Sequence, residues 1–169
     1  MQDFVHLHVH TQYSLLDGQA SVARLVDKAM KNGMKGIAVT DHGNMFGIKE
    51  FTNYVNKKNS GPKGEIKDLK KRLVGIEAGS IECEDKEAEV AACKAKIVEA
   101  ENKLFKPIIG CEMYVARRTM DLKEGKQDQS GYHLIVLAKN ETGYHNLVKL
   151  VSHAWTRGYY MRPRTAVSY

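Results

Sequence analysis

The sequence predicts an α/β protein with an α-helical hairpin inserted in it. Short β-like runs at 5–10, 35–40, 108–115 and 132–138 alternate with stretches of helical period, the pattern of βαβ units and a parallel sheet. Between 64 and 105 that alternation gives way to two arms with heptad-like apolar spacing. The 169 residues, 43% hydrophobic and 27% charged, suffice for one soluble domain with a real core. Right-handed crossovers would wind such a sheet toward a barrel or an open doubly wound form.

The first run lies in FVHLHVHTQYSLLDG, residues 4–18, where His6, His8 and His10 alternate with Val5, Leu7 and Val9. Strict alternation reads as a strand, with imidazoles on one face and apolar groups on the other. Three adjacent imidazoles have no packing rationale, but neutral imidazole is a standard ligand for zinc, iron and manganese. Asp17, seven residues after His10, can bring a carboxylate to the same place. The plainer alternative is an edge strand with solvated histidines.

Ser21 then caps a helix with Val22, Leu25, Val26, Ala29 and Met30 on one stripe, ended by Gly33. KGIAVT, 35–40, reads as a strand buried on both faces, with Asp41, His42 and Gly43 at its C-terminal end. A second helix covers 47–58. In the hairpin, Ile66, Leu69, Leu73 and Ile76 form one seam and Val90, Cys93, Ile97, Ala100 and Leu104 the other, around a polar break at 79–85. IIGCEMYV, 108–115, puts Gly110, Glu112 and Tyr114 on one face of a third strand. A charged loop, 117–131, leads to the fourth, YHLIVLA at 132–138. Asn140 caps a last helix carrying Tyr144, Leu147, Val148, Val151 and Trp155, and the basic, aromatic tail RGYYMRPRTAVSY reads as irregular.

Residues 64–105 carry 8 basic and 10 acidic side chains, whereas the rest of the chain carries 18 and 10, a net +8. A basic body suits a polyanionic partner such as DNA, although a solvated basic surface looks the same. Three cysteines without C-x-x-C spacing point to reduced thiols in a cytoplasmic setting. The N-terminus lacks the pattern of a signal peptide, and no run of about 18 apolar residues predicts a membrane span.

His8, His10, Asp17, His42, Glu112 and His133 are the candidate metal ligands. Each has a bland explanation alone: a turn histidine, a satisfied core histidine, a solvated carboxylate. Glu112 inside an apolar strand is the hardest to dismiss, since a buried carboxylate needs a cationic or hydrogen-bonding partner. Several mixed imidazole and carboxylate ligands suit zinc, manganese or iron and a multi-metal site of the kind used in phosphoester hydrolysis.

Four blocks in order, FVHLHVHTQYSLLDG, VTDHGNMFG, KPIIGCEMYVA and YHLIVLAKNETGYHNLVKLVS, resemble the polymerase and histidinol phosphatase (PHP) domain. The resemblance covers nearly all of the chain outside 60–105. TGYHNL and GYYMRPR resemble its polymerase branch, the N-terminal domain of bacterial DNA polymerase III alpha subunits. It implies a partial, distorted (β/α)7 barrel over 1–169, holding up to three divalent metals (zinc, manganese or magnesium). By motif position the ligands are His8, His10, Asp17, His42, Glu112 and His133, six of an expected nine, the others lying beyond residue 169. The 64–105 hairpin is absent from many relatives. The implied function is DNA replication in the parent polymerase, a nucleotidyltransferase, with a 3′–5′ proofreading exonuclease in this domain and with DNA, the rest of the polymerase chain and other replisome subunits as partners. The isolated chain, a fragment on this view, is expected to be inactive. Arg117, Arg118, Arg162 and Arg164 are the candidate DNA contacts. A stand-alone phosphatase of small phosphomonoesters and a non-catalytic scaffolding module are the alternatives.

Overall fold

A computed structural model describes residues 4–15, 17–129 and 131–166. The chain forms two compact units, Met1–Tyr54 with Pro107–Tyr169, and Val55–Lys106. In chain order the elements are α1 (Val22–Lys31), β1 (Gly36–Val39), α2 (Ile48–Lys58), α3 (Ser60–Glu77), α4 (Lys86–Asn102), β2 (Lys106–Val115), α5 (Gly125–Gln129), β3 (Tyr132–Leu137), α6 (Glu141–Thr156) and β4 (Arg164–Thr165).

The sheet of the first unit is mixed and does not close. β3 pairs antiparallel with β2, Gly110 opposite Leu137 through Val115 opposite Tyr132. β4 runs parallel to β2, with Tyr114 opposite Arg164. A parallel bridge joins His42, just past β1, to Glu112. β3 fills one edge of β2, so β1 and β4 take successive stretches of the other. The all-parallel series expected from the sequence therefore fails between β2 and β3. A parallel return usually runs through a full crossover helix, and the only helix between β2 and β3 is the five-residue α5.

The histidine run is the second correction, because residues 5–10 are extended but are not a strand of the sheet. Ala38 N–H donates to His6 O and Thr40 N–H to Val9 O, each at 2.9 Å. An advance of two residues from Ala38 to Thr40 thus faces an advance of three from His6 to Val9, and the extra residue is absorbed in a bend at Leu7.

Most capping expectations hold. Ser21 Oγ accepts from Arg24 N–H, Asn140 Oδ1 accepts from Gly143 N–H at 2.9 Å, and Gly33 follows α1 at φ 76°. Val22, Val26 and Ala29 of α1 and Ile37, Ala38 and Val39 of β1 are buried. Cys111 and Met113 of β2 pack with Leu147, Val151 and Ala154 of α6. Val148 and Trp155, expected on that apolar stripe, are exposed instead.

Arg164 is fully buried. Nε donates to Gly158 O at 3.1 Å, Nη1 to Asp128 O at 2.8 Å, and Nη2 to Met120 O and Leu122 O at 3.0 Å each. This side chain stitches the 117–131 loop to the C-terminal tail. Four of its five N–H donors are bound to carbonyls and the side chain is shielded, so Arg164 is a structural strut, which corrects its assignment as a DNA contact.

In the second unit α3, beginning at Ser60, packs along α4. Ile66, Ile97 and Ala100 form the unit's buried seam, flanked by Leu69, Leu73 and Leu104. Asn59 closes the base with two bonds to the backbone of Phe105, 2.8 and 2.9 Å long. Arg72–Glu89 and Lys70–Glu101 bridge its exposed surface, where such pairs contribute about 0–1 kcal/mol.

Candidate metal centre

Glu112, at the middle of β2 and almost fully buried, is the hub of the site. His42 reaches it from the end of β1. His133 lies opposite Tyr114, one diagonal step from Glu112 on the same face. The antiparallel pairing explains how a residue that opens β3 joins groups at the C-terminal end of β1, because reversal brings the start of β3 to that end of the sheet.

His133 Nδ1 lies 2.5 Å from Glu112 Oε1, and His10 Nε2 lies 3.4 Å from Glu112 Oε2. One ligand atom each from His8, His10 and Glu112 lie within 4.8 Å of one another. His42 Nε2 meets Asp17 Oδ2 at 2.8 Å. His42 Nδ1 sits against Glu112 Oε2 in close contact but without hydrogen-bond geometry, and neither buried atom has a hydrogen-bond partner. All six candidates are therefore joined in one cluster. His6 lies outside it, its ring edge-on to Phe4.

A supporting layer, missed in the sequence, orients these rings. Asp41 is buried and accepts from Thr11 N–H at 2.6 Å, Thr11 Oγ1 at 2.8 Å and Ser14 Oγ at 2.7 Å. Because Ser14 gives its proton to Asp41, its oxygen accepts from His42 N–H at 3.2 Å and from His10 Nδ1–H at 2.8 Å. Thr40 Oγ1 likewise donates to Val9 O and meets His8 Nδ1 at 2.8 Å. For His10 the hydrogen-bond network thus assigns Nδ1–H and leaves Nε2 as the lone pair a metal requires. The signal available in the sequence was Asp41 between Thr40 and His42, an acid at a buried strand end.

Burial, followed by the nearby His42, lowers the pKa of His10 against the opposing pull of Glu112, so its ring is held neutral. The hydrogen bond from His42 holds the Asp17 carboxyl below its ordinary value. Burial pushes the Cys111 thiol up to about 12 and raises the Tyr114 phenol. Cys111 Sγ donates to Asp41 O and is no thiolate ligand. A buried carboxylate, neutral imidazoles and two unpartnered polar atoms fit a divalent cation.

The remaining arginines differ. Arg162 lies over the Tyr114 ring at 4.8 Å and Arg117 over Tyr132 at 5.5 Å, both exposed. Arg118 is tied to Asp128 through Nε at 3.0 Å and Nη2 at 2.5 Å.

The family model of the PHP domain matches residues 6–98 and 86–169. The chain belongs to the PHP domain family. It is 40% identical over 164 residues to DNA polymerase III subunit alpha of Borreliella burgdorferi, covering 95% of this chain and 10% of that protein. The subunit from Treponema pallidum is 40% identical over 162 residues, again 95% of this chain and 10% of the relative. The subunit from Aquifex aeolicus is 32% identical over 169 residues, 96% of this chain and 11% of the relative. This PHP chain thus spans about a tenth of the length of the curated relatives it matches. None of its helices among the described residues is long and apolar enough to cross a membrane.

Proposed function

We propose that this PHP chain is part of a DNA polymerase III alpha subunit and hydrolyses phosphodiesters at a divalent-metal site, as a 3′–5′ proofreading exonuclease. The observation that carries the reading is the buried Glu112 carboxylate ringed by imidazoles, with His42 Nδ1 and Glu112 Oε2 unsatisfied. The similarity to DNA polymerase III alpha subunits supports DNA as the substrate and the rest of the polymerase and replisome as partners, and a cytoplasmic setting is part of the same proposal.

His8, His10, Asp17, His42, Glu112 and His133 would hold the ions. Mixed imidazole and carboxylate donors suit zinc or manganese more than magnesium. Bound divalent ions supply Lewis-acid charge for phosphoryl oxygens and lower the pKa of water. The protein's own part is positional. Ser14 fixes the His10 tautomer, Thr40 holds the His8 ring, Asp41 anchors Thr11 and Ser14, and Asp17 steadies His42 from the solvent side. Arg162 and Arg117 offer exposed cations for the DNA backbone. Residues 64–105 are read as a hairpin insertion, supported by their own apolar seam.

In the intact protein, His10→Ala is expected to abolish digestion of a mismatched primer end while leaving primer extension largely intact. Metal analysis should show the corresponding loss of zinc or manganese. Retained exonuclease with full metal loss would separate hydrolysis from this cluster and overturn the reading.

A further inference from the structure

Beside the histidine cluster the first unit carries a cavity of about 660 Å³. Asp17, His42 and His133 line it together with Phe46, Trp155 and Tyr159, so the ligand cluster and the aromatic rings share one space. The Trp155 and Tyr159 rings stack with centroids 5.5 Å apart at 17°, and Phe46 lies 6.4 Å from Trp155. All three are exposed, at 64% for Phe46, 43% for Trp155 and 47% for Tyr159. Trp155 is nonetheless fixed, because Nε1–H donates to Gly43 O at 2.7 Å, immediately after the cluster residue His42.

A row of rigid, exposed aromatic faces is poor core but a good surface for stacking planar rings. We infer that Phe46, Trp155 and Tyr159 form a stacking platform for the unpaired terminal base of a single nucleic-acid strand whose phosphate lies at the histidine cluster. The inference rests on the phosphodiesterase reading and extends it, naming residues that select a strand end over a small phosphomonoester. Stacking on aromatic rings tolerates any base, as removal of arbitrary mismatches requires. Charge agrees with this occupant. Arg162 stands on the same wall over Tyr114, and the chain outside the hairpin carries net +8. Between Tyr159 and Arg162, Met161 adopts φ 62° and exposes its side chain at the cavity, a strained conformation of the kind held at ligand sites.

The test uses the intact protein in EDTA, so that no ion enters the result. Anisotropy of a 5′-fluorescein oligothymidylate is compared with that of the same strand ending in an abasic 3′ residue. Tyr159→Ala and Phe46→Ala should each weaken the base-ended strand about tenfold, the order expected for one stacking contact. Both should leave the abasic strand unchanged, and Tyr159→Phe should bind like wild type. Trp155→Ala also removes the bond to Gly43 O, so the other two variants decide the matter. Equal binding of both strands by every variant overturns the platform. So does protection of the rings from solvent quenchers by the parent chain. If Tyr159→Ala loses base-dependent binding while His10→Ala keeps exonuclease activity, the platform stands and the hydrolytic reading alone fails.

Discussion

At the scale of single residues the chemistry depends on hydroxyls as much as on the ligands they orient. Ser14 Oγ serves Asp41, His10 and His42 at once. Ser14→Ala should therefore weaken zinc binding about 10- to 100-fold, read by competition with a chromophoric chelator, although Ser14 touches no ion itself. Cys111 is buried with its thiol pushed up to about 12, whereas Cys83 is partly exposed. A thiol reagent at neutral pH should thus modify Cys83 well before Cys111, checked by peptide mass spectrometry. Arg118 beside Asp128 holds that carboxyl below its ordinary value. A depressed carboxylate contributes stability above the unfolded value of about 4 and loses it as pH falls through the folded value. The stability advantage of wild type over Asp128→Asn should accordingly shrink on acidification below about pH 4, followed by urea midpoints across pH.

At the scale of elements, the two units make separable predictions. Ile97 lies in the α3–α4 seam. Ile97→Ala should cost about 2–5 kcal/mol, the usual range for a buried isoleucine truncation, and raise hydrogen exchange in the hairpin while β2 stays protected. Replacement of 64–105 by a short linker should leave the remaining unit folded, judged by retained near-ultraviolet dichroism. In the other unit, Arg164 joins the 117–131 loop to the C-terminal tail. Arg164→Met would leave four carbonyls without their donor and should cost about 3 kcal/mol or more, measured by chemical unfolding.

For the whole molecule, six candidate donors surround the site and the sheet is not closed. Tyr132 and Leu134 of β3 are exposed, and the chain spans a tenth of its relatives. The 169-residue chain alone should therefore bind zinc and manganese weakly, digest no primer end and tend to self-associate, tested by calorimetry, nuclease assay and sedimentation. Robust metal-dependent digestion by this chain, absent in His8→Ala, would show that these six donors suffice.

Local sequence determined α1, α2, α4 and α6, the Ser21 and Asn140 caps and the residue types of the site, because apolar period and capping chemistry act over a few neighbours, whereas α5 lies in a stretch read as a charged loop. VTDHG and GCE likewise placed His42 and Glu112 at or within buried strands, where imidazole and carboxylate need partners. Tertiary pairing alone decided the rest. The bend at Leu7 comes from a mismatch between the histidine run and β1, which neither segment encodes by itself. The direction of β3 follows from the missing crossover helix and brings His133 to Glu112. Arg164 reads like any basic tail residue until four distant carbonyls enclose it. Trp155 reads as part of an apolar stripe until Gly43 O, 112 positions away, fixes its ring outward. These outcomes depend on contacts far apart in the chain, where hydrogen-bond satisfaction and burial outweigh local periodicity.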